Sequence, residues 1–85
     1  MDSFQDFKNK LDMEHKWPCN YMFKFVVPSA KADEVRTVYR NETLIPKTSK
    51  AGNYVSFTME KRINSSDEVV AIYQEAKQIE GLMVL

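Results

Sequence analysis

An α+β fold built on an antiparallel sheet is what this sequence predicts, and three observations predict it. Residues 21–27 and 54–63 alternate apolar and polar side chains with period two, the signature of half-buried strands. Residues 30–41 and 65–81 repeat their apolar side chains at helical spacing behind serine residues that can cap a helix. Gly52-Asn53 tolerates the positive φ of a tight turn and stands just before the second long strand.

Phe4, Phe7 and Leu11 recur at helical spacing behind Ser3, which predicts an amphipathic helix over residues 3–13. Trp17-Pro18 ends it, because a residue before proline is pushed toward extended backbone. In the strand at 21–27, Tyr21, Phe23, Phe25 and Val27 form the core face, and Met22, Lys24 and Val26 form the other. Pro28-Ser29 stops that strand. Ser29 caps a helix over 30–41 whose stripe is Ala32, Val35, Val38 and Tyr39.

A short strand over 43–47 contains Pro46, which cannot donate to a ladder, so it belongs at a sheet edge. The turn at 49–53 leads into the strand at 54–63. There Val55, Phe57, Met59, Lys61 and Ile63 face the core, and Tyr54, Ser56, Thr58 and Glu60 face away. Ser65-Ser66-Asp67-Glu68 reads as a capping box opening a helix with Val69, Ile72, Tyr73, Ala76 and Ile79 in register. Gly81 closes that helix, and residues 82–85 make the last strand.

After the first helix the order is strand, helix, strand, strand, helix, strand. Right-handed crossovers that leave room for an intervening strand give a ferredoxin-like βαββαβ sandwich with sheet order 4-1-3-2. Residues 18–85 form this domain, and residues 1–17 an N-terminal helix and linker.

At 85 residues, a single domain has a core only just large enough. The 12 basic residues balance 12 acidic ones, which argues against binding nucleic acid or membrane through bulk positive charge. The charges are nevertheless segregated. Residues 47–62 carry Lys47, Lys50, Lys61 and Arg62 against Glu60, while 67–80 carry Asp67, Glu68, Glu75 and Glu80 against Lys77. Cys19 is the only cysteine, so a reducing, cytoplasmic setting is expected. The first residues lack the apolar stretch of a signal peptide, and the longest apolar run, 82–85, is far too short to span a bilayer.

In such a fold the helices cover one sheet face and leave the other open. Lys24, Tyr54, Ser56 and Thr58 share that open side on the two central strands, with Lys50 and Asn53 at the rim. An ammonium group, a phenol and two hydroxyls suit a small anionic ligand, and they equally suit a solvated sheet. The stretch 50–57 also resembles the third-strand signature of RNA-recognition motifs at Lys50, Tyr54, Val55 and Phe57. Gly52 stands where that signature has a stacking ring, so nucleic acid is the weakest reading.

His15 and Cys19 are two soft ligands and do not make a metal site by themselves. No orienting third group accompanies them, and two glycines cannot form a phosphate-binding loop, so neither catalysis, a metal nor a cofactor is expected. The Phe4/Phe7/Leu11 stripe with Trp17 either docks on its own sheet or meets a protein partner, and self-docking is favoured. The uncharged last strand is a candidate edge for a homodimer.

The segments Met22-Phe23-Lys24-Phe25-Val26-Val27-Pro28, 49–58, and Ser65-Ser66-Asp67-Glu68-Val69 with Ile72-Tyr73 and Ile79-Glu80-Gly81 resemble the YbeD-like family of small bacterial proteins of unknown function. The most specific piece is the S-x-G-N-Y type pattern with alternating Ser and Thr, here carrying Ala51 before the glycine. The resemblance implies a ferredoxin-like fold similar to ACT-type regulatory domains. Some relatives carry the label of putative lipoate regulatory protein. ACT-type domains usually bind ligand near a glycine after the first strand, a loop that reads Val27-Pro28-Ser29-Ala30 here. The expected function is therefore a non-enzymatic regulatory or small-molecule-binding module. A protein-interaction module is the alternative, followed by an RNA-binding one.

Overall fold

A computed structural model describes residues 3–84, with side chains from residue 5 onward. The elements are α1 (Ser3–Glu14), β1 (Cys19–Pro28), a 3-10 turn (Ser29–Lys31), α2 (Ala32–Val38), β2 (Leu44–Thr48), β3 (Tyr54–Ile63), α3 (Ser66–Ala76) and β4 (Met83–Val84). The α+β class expected from the sequence is the one found. The expected cap at Ser3 and packing of Phe4 concern side chains outside the described residues, as does Leu85 in the last strand.

The sheet runs β2-β3-β1-β4, with every neighbouring pair antiparallel. β1 and β3 are central and pair along their full length, from Cys19↔Ile63 to Pro28↔Tyr54. β2 pairs only with β3, so Pro46 lies on an edge strand, where its missing N–H does no harm.

Burial alternates as the strands require. Phe23, Phe25 and Val27 are fully buried on β1, while Val55, Phe57, Met59 and Ile63 are buried on β3. Lys61 has the same parity but is no core residue. Its ammonium reaches out to the Glu42 carboxylate at 2.6 Å, the snorkelling expected of a long basic side chain at a core margin.

The helices depart from expectation in instructive ways. The second helix is shorter than residues 30–41, beginning after a 3-10 turn and ending at Val38. Thr37, Val38 and Tyr39 are weak helix formers, and the Thr37 hydroxyl donates to the Asp33 carbonyl instead of leaving the ladder undisturbed. Its buried side is Ala32, Val35 and Tyr39, whereas Val38 points into solvent. Ser29 caps no helix: its hydroxyl donates to the Gly52 carbonyl.

The cap of α3 is also a variant of the expected box. Ser65 Oγ accepts from the Glu68 amide at 3.4 Å, but the Glu68 carboxylate accepts from the Asn64 amide at 2.9 Å, one residue beyond the reciprocal position. α3 ends at Ala76, and Gly81 (φ +81°) closes the following turn rather than the helix. Within that turn Ile79 remains in the core.

The two helices α2 and α3 cover the Phe23/Phe25 face. Tyr73 sits at its centre, with ring centroids 5.3 Å from Phe23 and 6.1 Å from Phe25, and Tyr39 stacks on Phe25 at 5.7 Å. The buried phenols keep partners: Tyr39 donates to the Ile72 carbonyl, and the Tyr73 and Tyr21 hydroxyls lie 3.3 Å apart. Burial pushes both Tyr39 and Tyr73 well above the usual tyrosine range. The Glu75 carboxylate adds to the effect at Tyr39, and the Tyr21 hydrogen bond adds to it at Tyr73.

The first helix docks on its own chain. Leu11 is 3 % exposed and belongs to the core cluster. Phe7 meets the Tyr73 ring at 5.8 Å, and Lys8 pairs with Asp67 on α3 at 3.0 Å.

Candidate functional site

The strand parity that buries Phe23, Phe25 and Phe57 sends the even-numbered residues of β1 and β3 to the face without helices. Register then orders them into rungs. Lys47, Ser56, Val26 and Met83 form one rung across all four strands, and Ile45, Thr58 and Lys24 form the next. Pro28 opposes Tyr54 at one end, and Met22 opposes Glu60 toward the other.

At the β2–β3 turn this face opens into a hollow of about 260 Å³ lined by Val26, Lys47, Thr48, Ser49, Lys50, Tyr54 and Ser56. Local chemistry builds its wall. Ser49 N–H donates to the Tyr54 carbonyl at 2.8 Å, Ser49 Oγ accepts from Tyr54 N–H at 3.1 Å, and Gly52 N–H donates to the Ser49 carbonyl at 2.9 Å. Gly52, at φ +79°, supplies the left-handed residue that lets the chain reverse there. Ser29 pins the turn to the end of β1, its amide donating to the Asn53 carbonyl at 2.9 Å and its hydroxyl to Gly52. The wall is thus held from both sides.

Of the residues predicted from sequence, Lys50, Tyr54 and Ser56 line this hollow. Lys24 and Thr58 lie opposite each other on the neighbouring rung. Asn53 is exposed on the turn, where its backbone carbonyl serves Ser29. Sequence reasoning missed Lys47, Thr48 and Ser49. Lys47 was readable in principle, since a hairpin register carried back from Gly52 places it opposite Ser56 on the open side.

The hollow is basic. Neither Lys47, Lys50 nor Lys24 has an ion-pair partner among the described residues. The hydroxyls are held by backbone: Ser56 Oγ donates to the Lys47 carbonyl at 3.3 Å, and Ser49 Oγ accepts from Tyr54 N–H. Ammonium groups and the Ser49 hydroxyl, whose proton remains to donate, can hold a carboxylate or phosphate on a partly apolar floor.

Other candidate chemistry is dispersed. His15 packs between the rings of Trp17 and Tyr21, each at 5.4 Å, and Cys19 is half-buried at the start of β1. Among the described residues no three His, Cys, Asp or Glu side chains gather as metal ligands. Tyr54 is the exposed ring of the RNA-like signature, while Phe57 is fully buried on the opposite face. Among the described residues no helix is long and apolar enough to cross a membrane.

No curated protein and no solved structure matches the chain. A family match does cover residues 12–85, taking in every strand and both helices that cover the sheet. It is the family described as protein of unknown function (DUF493), in agreement with the YbeD-like resemblance, and the chain belongs to it.

Proposed function

We propose that this protein is a non-enzymatic binding module of regulatory type that takes a small anionic ligand on its open sheet face. The observation that carries this reading is the hollow at the β2–β3 turn, where Lys47 and Lys50, without ion-pair partners among the described residues, stand beside Tyr54, Ser49 and Ser56. The strand order β2-β3-β1-β4, which is 4-1-3-2 from the other edge, supports a ferredoxin-like, ACT-like arrangement with one face left for ligands. Cytoplasmic residence goes with the single, half-buried Cys19.

Binding of this kind needs no chemistry from the protein, and the hollow supplies recognition groups only. Lys47 and Lys50 supply the positive charge. Ser49 Oγ is placed by the Tyr54 amide and keeps its proton to donate, whereas the Ser56 proton is engaged by the Lys47 carbonyl.

A thermal-shift and calorimetric screen of small carboxylates and phosphates tests the reading. At least one compound is expected to raise the midpoint, and Lys47→Ala with Lys50→Ala is expected to abolish that rise. A panel with no stabilising anion, or an affinity indifferent to both lysines, overturns it.

A further inference from the structure

We propose that the open sheet face, beyond the hollow at its corner, is a docking surface for an acidic amphipathic helix of a partner protein. Six large hydrophobic side chains are strongly exposed among the described residues. Four of them, Met22, Ile45, Tyr54 and Met83, sit on this one face. Each strand contributes one. Half-buried Val26 lies beside Met83 in the same rung. Apolar side chains gathered on one side of a small domain mark a surface that is covered in use.

The charge on the face identifies what covers it. Among the described residues, Lys24, Lys47 and Arg62 lie on it and Lys50 on the adjoining turn, against the single carboxylate of Glu60. None of these four cations has an ion-pair partner among the described residues. Two copies stacked face to face would oppose like charges, which disfavours a second copy of this chain. An acidic partner gains where a second copy loses.

The opposite face shows which shape fits such a surface. There α3 lays Val69, Tyr73 and Ala76 against the sheet and keeps Asp67, Glu68 and Glu75 outward or at its ends. A helix with the same plan fits the open side. Its apolar side chains would meet Met22, Ile45, Val26 and Met83, and its acids would meet Lys24, which stands between Met22 and Val26 on β1, and Arg62. Met22, Ile45, Met83, Lys24 and Arg62 lie outside the lining of the hollow, so the two readings can be tested apart although they share Val26, Lys47, Lys50 and Tyr54.

Methyl and amide NMR titration of the full chain tests the proposal with a synthetic helical peptide bearing a leucine stripe flanked by glutamates. Its control is the same peptide with lysines for glutamates. The acidic peptide is expected to bind, to shift the Met22, Val26, Ile45 and Met83 methyls, and to bind more weakly at high salt. Met22→Ser with Ile45→Ser should weaken binding by about tenfold or more, the loss typical of central apolar anchors. Both side chains are exposed, so the melting midpoint should hold. Shift mapping on the unmodified chain decides the matter even if that variant folds poorly. Absence of binding, equal binding of the lysine peptide, shifts located elsewhere, preference for an RNA oligonucleotide, or self-association that buries the same methyls would each overturn the proposal. Met22→Ser with Ile45→Ser separates the readings: neither residue lines the hollow, so the variant should weaken the peptide and leave small-anion binding unchanged.

Discussion

Gly81 lies directly against the ring of Pro28, so close that a Cβ on the glycine would stand 2.9 Å from Pro28 Cγ. The contact joins the turn before β4 to the end of β1, and thereby sets where Met83 enters the open face. Gly81 also has φ +81°, which an L side chain resists. Gly81→Ala is therefore expected to cost about 1–3 kcal/mol from backbone strain alone, with the clash added. Chemical denaturation measures it. An unchanged midpoint would show that the turn relaxes freely. Gly52→Ala offers a comparison, since it meets the same φ penalty with nothing within 4 Å of the new Cβ.

Ser65 accepts the Glu68 amide in extended backbone geometry, the arrangement of a helix N-cap. Ser65→Ala is expected to destabilise the protein by about 0.5–2 kcal/mol, and Ser65→Asp to retain most of the stability. The contrast between the two variants in thermal melts checks the assignment. Equal losses would mean that the hydroxyl packs rather than caps.

That cap shows where sequence reasoning reaches and where it stops. Ser65 and Glu68 were legible because their spacing suits one local motif, whereas the choice of the Asn64 amide over the Ser65 amide depends on how the chain leaves β3. Parity along β1 and β3 was legible for the same local reason, and it placed Lys24, Tyr54, Ser56 and Thr58 on the open face. Ser29 reads as a helix cap from sequence because nothing nearby reveals Gly52, 23 positions away, which takes its hydroxyl. The hollow itself needs Lys47 from an edge strand whose register depends on β3, and the common face of Met22, Ile45 and Met83 needs three strands assembled at once.

Tyr39 and Tyr73 titrate above the ordinary tyrosine value of 10.0 because burial disfavours the phenolate. The folded state holds those protons more tightly than the unfolded one. The resulting stability is fully present below about pH 10 and is lost as pH rises beyond it, since the unfolded chain ionises first. Equilibrium unfolding is expected to require progressively less denaturant above that pH. Tyr73→Phe should flatten the alkaline fall, and Tyr39→Phe should flatten it further. A wild-type slope that persists in the double variant would assign the effect to other groups.

Leu11 is nearly fully buried, yet it belongs to a helix that precedes the sheet domain in sequence. It shares the core cluster with Phe23 and Tyr73, while Phe7 stands at the rim against the Tyr73 ring. Burial of that kind makes the helix part of the stability of the whole, and Leu11→Ala is expected to cost about 2–5 kcal/mol. Met13→Ala supplies the internal control, because Met13 is 87 % exposed on the same helix and should change stability by less than about 0.5 kcal/mol. Trp17 reports the outcome locally, since its indole N–H donates to Asp12 at the end of the same helix. If α1 is integral, Trp17 fluorescence and far-ultraviolet dichroism should lose structure at one midpoint in both proteins. An early Trp17 transition, with the sheet melting unchanged after Leu11→Ala, would show that α1 is only loosely attached and free to engage something else.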